Sequence, residues 1–258
     1  MFERNALKKK EGEGFFINTE VLKIIGLIFS MIGTFGISVV QNNWLNLSAY
    51  TNETLLEAMK ADSSVMTLST IAICLNSVYY MGIPLFAYLL EQGFRHTSDL
   101  KKYGLRLLLC AVISEPFYDF AMSGSLLDMS VQNPVFSLCL SLAMLYLFRQ
   151  FSGGGFKKTL IKILIGLGAL LWILLIKCES GIYYVMLAAI FYFWHGDETW
   201  SILAGIAATL KLFPAPLTFF LLHFHDGYRK VPQKKTRLAF YVLYPVQLLV
   251  IGILGKVL

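Results

Sequence analysis

Apolar runs of about twenty residues recur from Val21 to the C-terminus, and each is long enough to cross a bilayer core of roughly 30 Å. This constrains the chain more than any other feature. In hydrocarbon every backbone N–H and C=O must be paired internally, which leaves helices or a closed barrel. The runs are continuous rather than alternating, which selects helices. Only 15% of the 258 residues are charged and 57% are hydrophobic, whereas soluble chains are about a quarter charged. The expected fold is therefore all-α: a polytopic integral membrane helical bundle. A polar lead over 1–20 precedes a single multi-span transmembrane domain over 21–258.

Charge placement orients the spans. The lead carries Arg4, Lys8, Lys9 and Lys10, which puts the N-terminus in the cytoplasm by the positive-inside rule. A first span over 21–41 reaches an external loop, 42–63, with Glu53, Glu57 and Asp62. A second span, 66–91, returns the chain to a basic turn holding Arg95, His96, Lys101, Lys102 and Arg106. Spans over 103–123, 132–150 and 159–176 follow, with the cytoplasmic loop between the last two marked by Arg149, Lys157 and Lys158. The run 181–195 is short, and 199–225 is broken by Pro214 and Pro216. Two limbs split at that break, each under the usual ~17-residue minimum, need shelter from neighbouring helices. They keep the basic loop Arg229–Arg237 in the cytoplasm, and a last span over 238–257 brings the total to about nine crossings.

The net charge of +6 is not a nucleic-acid signal. The cations sit in short loops, and no polar segment is long enough to form a basic face with exposed aromatics. Cys74, Cys110, Cys139 and Cys178 lie in or beside separate runs, with no CxxC pair and no metal spacing, and read as core packing. The polar lead does not read as a signal peptide.

Ionisable groups within spans are expensive and are functional candidates by default. Glu115 and Asp119 stand at i and i+4 on one helix face and are candidate catalytic carboxylates. The other reading places them at the external interface, bonding a helix end. His96, at a loop edge, is a further candidate that also fits a solvated interfacial side chain. Asn76, Ser77, Tyr79 and Tyr80 form a lesser polar group suited to interhelical hydrogen bonds. His223 and His225, at i and i+2, do not share a helix face and do not suggest a metal site. A transporter of inverted repeats would show broken segments in both halves, and here only the second half has one.

The stretches PLFAYLLEQGFRHT from Pro84 and KKYGLRLLLCAVISEPFYD from Lys101 resemble the TraX family of bacterial membrane proteins. So do QNPVFSL (Gln132–Leu138), GIYYVMLAAIFYFW (Gly181–Trp194) and FYVLYPVQLLVI (Phe240–Ile251). The resemblance covers the chain from about residue 21 to the end. It implies a multi-pass protein of the bacterial cytoplasmic membrane that transfers an acetyl or acyl group from acyl-CoA to an amine of a peptide acceptor similar to pilin. Acetyl-CoA is then the co-substrate and no metal is needed. Such chemistry requires a base, an oxyanion donor and cations for the CoA phosphates. Lys101, Lys102 and Arg106 are the cofactor-binding candidates, although positive-inside topology explains the same residues without a ligand.

The chain departs from the family pattern at titratable positions. An Asp-His pair in the first span is replaced by Gly33 and Thr34, an Arg by Tyr80, a Glu by Gln92, and the His of a YPxH motif by Gln247. Neither Thr34 nor Gln247 titrates near neutrality, so neither replaces an imidazole base. Two readings stay open: a divergent acyltransferase, and a non-catalytic membrane scaffold that binds a partner.

Overall fold

A computed structural model describes residues 17–225 and 234–258, with side chains described over 17–225 and 239–258. The basic lead (Arg4, Lys8, Lys9, Lys10) and most of the basic loop expected near Arg229 lie outside the described residues. Helix α1 (Thr19–Phe35) continues as a π-helical segment, Gly36–Trp44. There follow α2 (Asn52–Ala61), α3 (Ser63–Tyr80), α4 (Gly82–His96), α5 (Leu100–Ser123) and α6 (Pro134–Gln150). The second half holds α7 (Phe156–Ile176), α8 (Gly181–Phe193), α9 (Glu198–Thr209), α10 (Thr218–His223) and α11 (Lys234–Val257). Among the described residues there is no sheet, only isolated bridges joining Ile17 to His225 and Gln132 to Cys178.

The helix starts follow from local chemistry. Asn18, Asp62, Asp99, Asn133 and Asp197 each accept a backbone N–H in the first turn of the helix they precede, pairing donors that have no intrahelical partner. Thr51 and Thr54 cap α2 reciprocally. That cap, followed by good helix formers, makes a helix within the external stretch expected to be loop. The expected second span is divided into α3 and α4 at Met81. Pro84 has no N–H to offer the carbonyl of Tyr80, and its ring crowds that carbonyl, so the helical hydrogen-bond ladder is interrupted there.

Among the described residues, four helical segments are long and apolar enough to cross a membrane: Thr19–Trp44, Ser63–His96, Phe156–Ile176 and Ala239–Val257. The chain is an integral membrane protein. Helix α7 turns Leu164, Leu167, Leu171, Trp172 and Leu175 outward, as a lipid-facing helix does.

Contacts fix the relative directions. Gly26 faces Phe86, Gly33 faces Tyr79, and Gly36 faces Leu75 and Asn76, so the α3–α4 rod runs antiparallel to α1. Small residues on α1 let the two backbones approach closely, a common device in membranes. Helices α9 and α10 form a hairpin: Glu198 at its start bonds His223 at its end (2.8 Å), and Phe219 packs over Gly205. The six residues of α10 rise only about 9 Å.

One end of the bundle is tied by Ile17 N–H to the Phe224 carbonyl (2.9 Å), and by His225 to Thr19 (3.2 Å) and Tyr88 (3.0 Å). At the same end the buried carboxylate of Glu91 accepts from Arg95, which also donates to the Tyr192 carbonyl (3.0 Å). At the other end Asn42 donates to the Met122 carbonyl, and Gln132 exchanges backbone bonds with Lys177 and Glu179.

Candidate functional site

Helices α1, α4, α5, α6, α8 and α11, with Tyr79 at the end of α3, surround a cavity of about 540 Å³. Its rim is polar and lies at the end tied by His225: Lys23, Gln92, His96, Thr97 and Arg106. Its walls are apolar, from Leu27, Phe86, Leu89, Leu90, Leu107 and Leu138. Its floor is set by buried hydroxyl-bearing residues on four helices, Ser30, Tyr79, Tyr184 and Tyr244. A concave, mostly apolar site with a few placed polar groups is the usual form of a small-molecule pocket.

The rim is built by the ends of α4 and α5. His96 occupies the last position of α4, and its Nδ1 lies 2.8 Å from the Gln92 carbonyl. A carbonyl oxygen only accepts, so Nδ1 carries a proton and donates to it. Arg106 donates through Nε to the Lys102 carbonyl (3.1 Å), which fixes the guanidinium one turn into α5. Lys23 pairs with Glu20 (3.4 Å) and rests over the Phe240 ring. Asp99 caps α5, and the Lys102 backbone N–H and ammonium hold its carboxyl below the usual carboxylate range.

Of the residues singled out in the sequence, His96 and Arg106 come together at this rim. Lys101 and Lys102 are exposed and do not line the cavity, and Lys102 is paired with Asp99 (3.1 Å). Glu115 and Asp119 lie further along α5, away from the cavity. Glu115 accepts from the backbone N–H and the side-chain amide of Asn133, at the start of α6. Asp119 accepts from the Asp128 backbone N–H (2.8 Å). Both carboxylates therefore bond the start of α6 or the loop before it.

The polar group on α3 divides. Asn76 donates to Gln41 (2.6 Å) and Ser77 bonds the Cys74 carbonyl (2.8 Å). The Tyr79 hydroxyl, expected to bond between helices, is buried and has no hydrogen-bond partner among the described residues. Sequence reading missed Ser30, Tyr184 and Tyr244 as lining residues. Each is an ordinary residue of an apolar run, and only the packing of distant helices gathers them. Of the positions read in the sequence as departures from the resemblance, Gln92 lies at the rim, while Gln247 donates to Ser30 (3.1 Å) at the floor. Thr34 is fully buried, with its hydroxyl unpartnered among the described residues.

A membrane-embedded bundle with an internal cavity, open at one end through a polar rim, is the class of protein that this fold and site define. Within it the chain belongs to the TraX family, matching the TraX protein over residues 18–255. It is also 27% identical over 203 residues to a probable fimbrial assembly protein FimC, serogroup H1, of Dichelobacter nodosus, covering 68% of this chain and 80% of that relative. No solved structure matches the chain.

Proposed function

We propose that this protein binds an acyl-CoA type of donor in the cavity and transfers the acyl group to an amine of a peptide similar to pilin. The observation that carries the reading is the cavity itself. It joins a rim with Arg106, Lys23 and His96 to buried serine and tyrosine residues through apolar walls. An elongated donor with an anionic head and a thioester tail matches that polarity. Membership of the TraX family and the relation to a probable fimbrial assembly protein support an acceptor related to pilin.

In this reading the rim faces the cytoplasm of a bacterial cell, across its cytoplasmic membrane. Lys101, Lys102, Arg149, Lys157 and Lys158 lie in the terminal turns of α5, α6 and α7 at the rim end, while Glu53, Glu57, Asp62 and Asp128 belong to the opposite end, which agrees with the positive-inside rule. Helix α1, the α3–α4 rod, α5, α6, α7, α8 and α11 cross the bilayer as a single domain. The α9–α10 hairpin enters and returns, in the place of the two short limbs expected from the sequence.

The chemistry balances without a further co-reactant. The amine nitrogen attacks the thioester carbonyl carbon, the carbon–sulfur bond breaks, and the departing thiolate takes the proton that the amine gives up. The products are an amide and a free thiol. No carboxylate lines the cavity among the described residues, and its imidazoles, His96 and His225, are at the rim. The amine must therefore arrive neutral, and the protein contributes position and hydrogen-bond donors.

The second reading, a scaffold that holds a partner without turnover, is favoured by one observation. Gly33, Thr34 and Gln247 stand where the family pattern carries titratable groups, and Gly33 is packed directly against Tyr79. The test is transfer of labelled acetyl from acetyl-CoA to the N-terminal amine of a pilin-like peptide by the purified protein. Time-dependent labelling that Arg106→Ala abolishes supports transfer. Saturable acetyl-CoA binding without labelling supports the scaffold.

A further inference from the structure

We propose that the Tyr79 hydroxyl is the donor that receives the carbonyl oxygen of the acyl group at the cavity floor. The proposal rests on the cavity being an acyl-donor site. Tyr79 is 7% exposed and lines the cavity, and its hydroxyl has no protein partner among the described residues. A buried hydroxyl left unpaired is costly, so such a group marks a place where a ligand completes the hydrogen bonding.

The ring is held in place from two sides. Gly33 lets α1 close onto the Tyr79 backbone, and the Tyr80 ring meets the Tyr79 ring edge-on at 6.1 Å between centroids. A rigid donor that need not reorganise is what stabilisation of a developing oxyanion requires. Ser30 stands one turn before Gly33 on α1 and lines the same floor. Its oxygen accepts from the Gln247 amide (3.1 Å), which leaves its own proton for a second bond to the same carbonyl.

The position also sets which part of the donor reaches Tyr79. Along the α3–α4 rod, Tyr79 lies about 25 Å of helix rise from His96. The phosphates stay at the rim near Arg106, and only the far end of an elongated donor reaches the floor. Tyr79 then separates acylated CoA from free CoA, because only the acylated form carries a carbonyl there. The same contact favours release of the thiol product over the substrate.

The test is equilibrium binding of acetyl-CoA, free CoA and S-ethyl-CoA, a thioether without the carbonyl, to the purified protein in detergent. The wild-type protein is expected to bind acetyl-CoA about tenfold more tightly than the other two, the size of one hydrogen bond to a buried acceptor. Tyr79→Phe is expected to remove that preference while leaving the affinity for free CoA and the thermal unfolding midpoint unchanged. Arg106→Ala is expected to weaken all three ligands alike. Equal binding of acetyl-CoA and S-ethyl-CoA by the wild type overturns the proposal without using any variant. So does a preference that survives in Tyr79→Phe, which would make the hydroxyl structural while leaving the acyl-donor reading intact. Failure of all three to bind overturns that reading and this proposal together.

Discussion

A Cβ added to Gly33 would lie 2.2 Å from the Cβ of Tyr79 and 2.9 Å from its Cα. Position 33 is thus closed to any side chain unless α1 and α3 move apart. The closeness connects helix packing to the cavity, because the residue that Gly33 admits is the one whose hydroxyl lies at the floor.

Gly33→Ala should therefore destabilise the bundle by about 1–3 kcal/mol through overpacking. The added methyl meets backbone as well as side chain, so a rotamer change in Tyr79 does not relieve it. Thermal unfolding in detergent measures the loss, and an unchanged midpoint would mean that the helices are not so closely packed.

Glu91 is buried and its carboxylate faces Arg95, with His195 3.5 Å away and the Gln92 amide at 3.2 Å. Arg95→Ala removes the principal counter-charge and should cost about 3 kcal/mol, the size expected when a buried pair loses one partner. Adding Glu91→Gln should recover most of that loss. A double variant no more stable than Arg95→Ala would show that the pair is not the source.

Asn133 is fully buried and ties two helices, α5 and α6. Its side-chain oxygen accepts the Val135 N–H (2.9 Å) at the start of α6, and its amide donates to the Ala111 carbonyl (2.9 Å) and to Glu115. Asn133→Ala should cost about 2–3 kcal/mol, combining a lost cap with buried polar groups left unpaired. Asp119→Asn should cost less, since an amide oxygen still accepts from the Asp128 backbone. A larger loss for Asp119→Asn than for Asn133→Ala in thermal unfolding would contradict this order.

The contact of Glu198 with His223 brings the two ends of the α9–α10 hairpin together. Cysteines introduced at 197 and 223, in a background without the native cysteines, should react with an impermeant maleimide from the same face of sealed vesicles. Labelling from opposite faces would mean a full crossing between them.

The bilayer is the reason the spans were legible. It demands long apolar helices, and the runs over 21–41, 159–176 and 238–257 announce them directly. The division of the rod before Pro84 and the break near Pro214 follow from proline chemistry at those residues. The helix within 42–63 carried a readable sign, Thr51 and Thr54 at capping spacing, in a stretch whose polarity suggested only loop. The site was less legible. His96 and Arg106 stood out because charge is rare in such a chain, and they line the rim. Glu115 and Asp119 stood out for the same reason, yet they bond the start of α6 and the loop before it. Charge alone does not tell a ligand site from a helix cap. Tyr184 and Tyr244 carry no local signal, since a tyrosine in an apolar run is ordinary until packing gathers it at a cavity; Tyr79 was legible only as one of a polar group, and packing leaves its hydroxyl without a partner among the described residues.

Saturation binding of acetyl-CoA to the purified wild-type protein and to Arg106→Ala tests the central claim most directly. The expected result is saturable micromolar binding to the wild type, weakened about tenfold when the rim guanidinium is removed. No saturable binding to the wild type, or equal binding by the two proteins, would contradict an acyl donor held with its phosphates at Arg106.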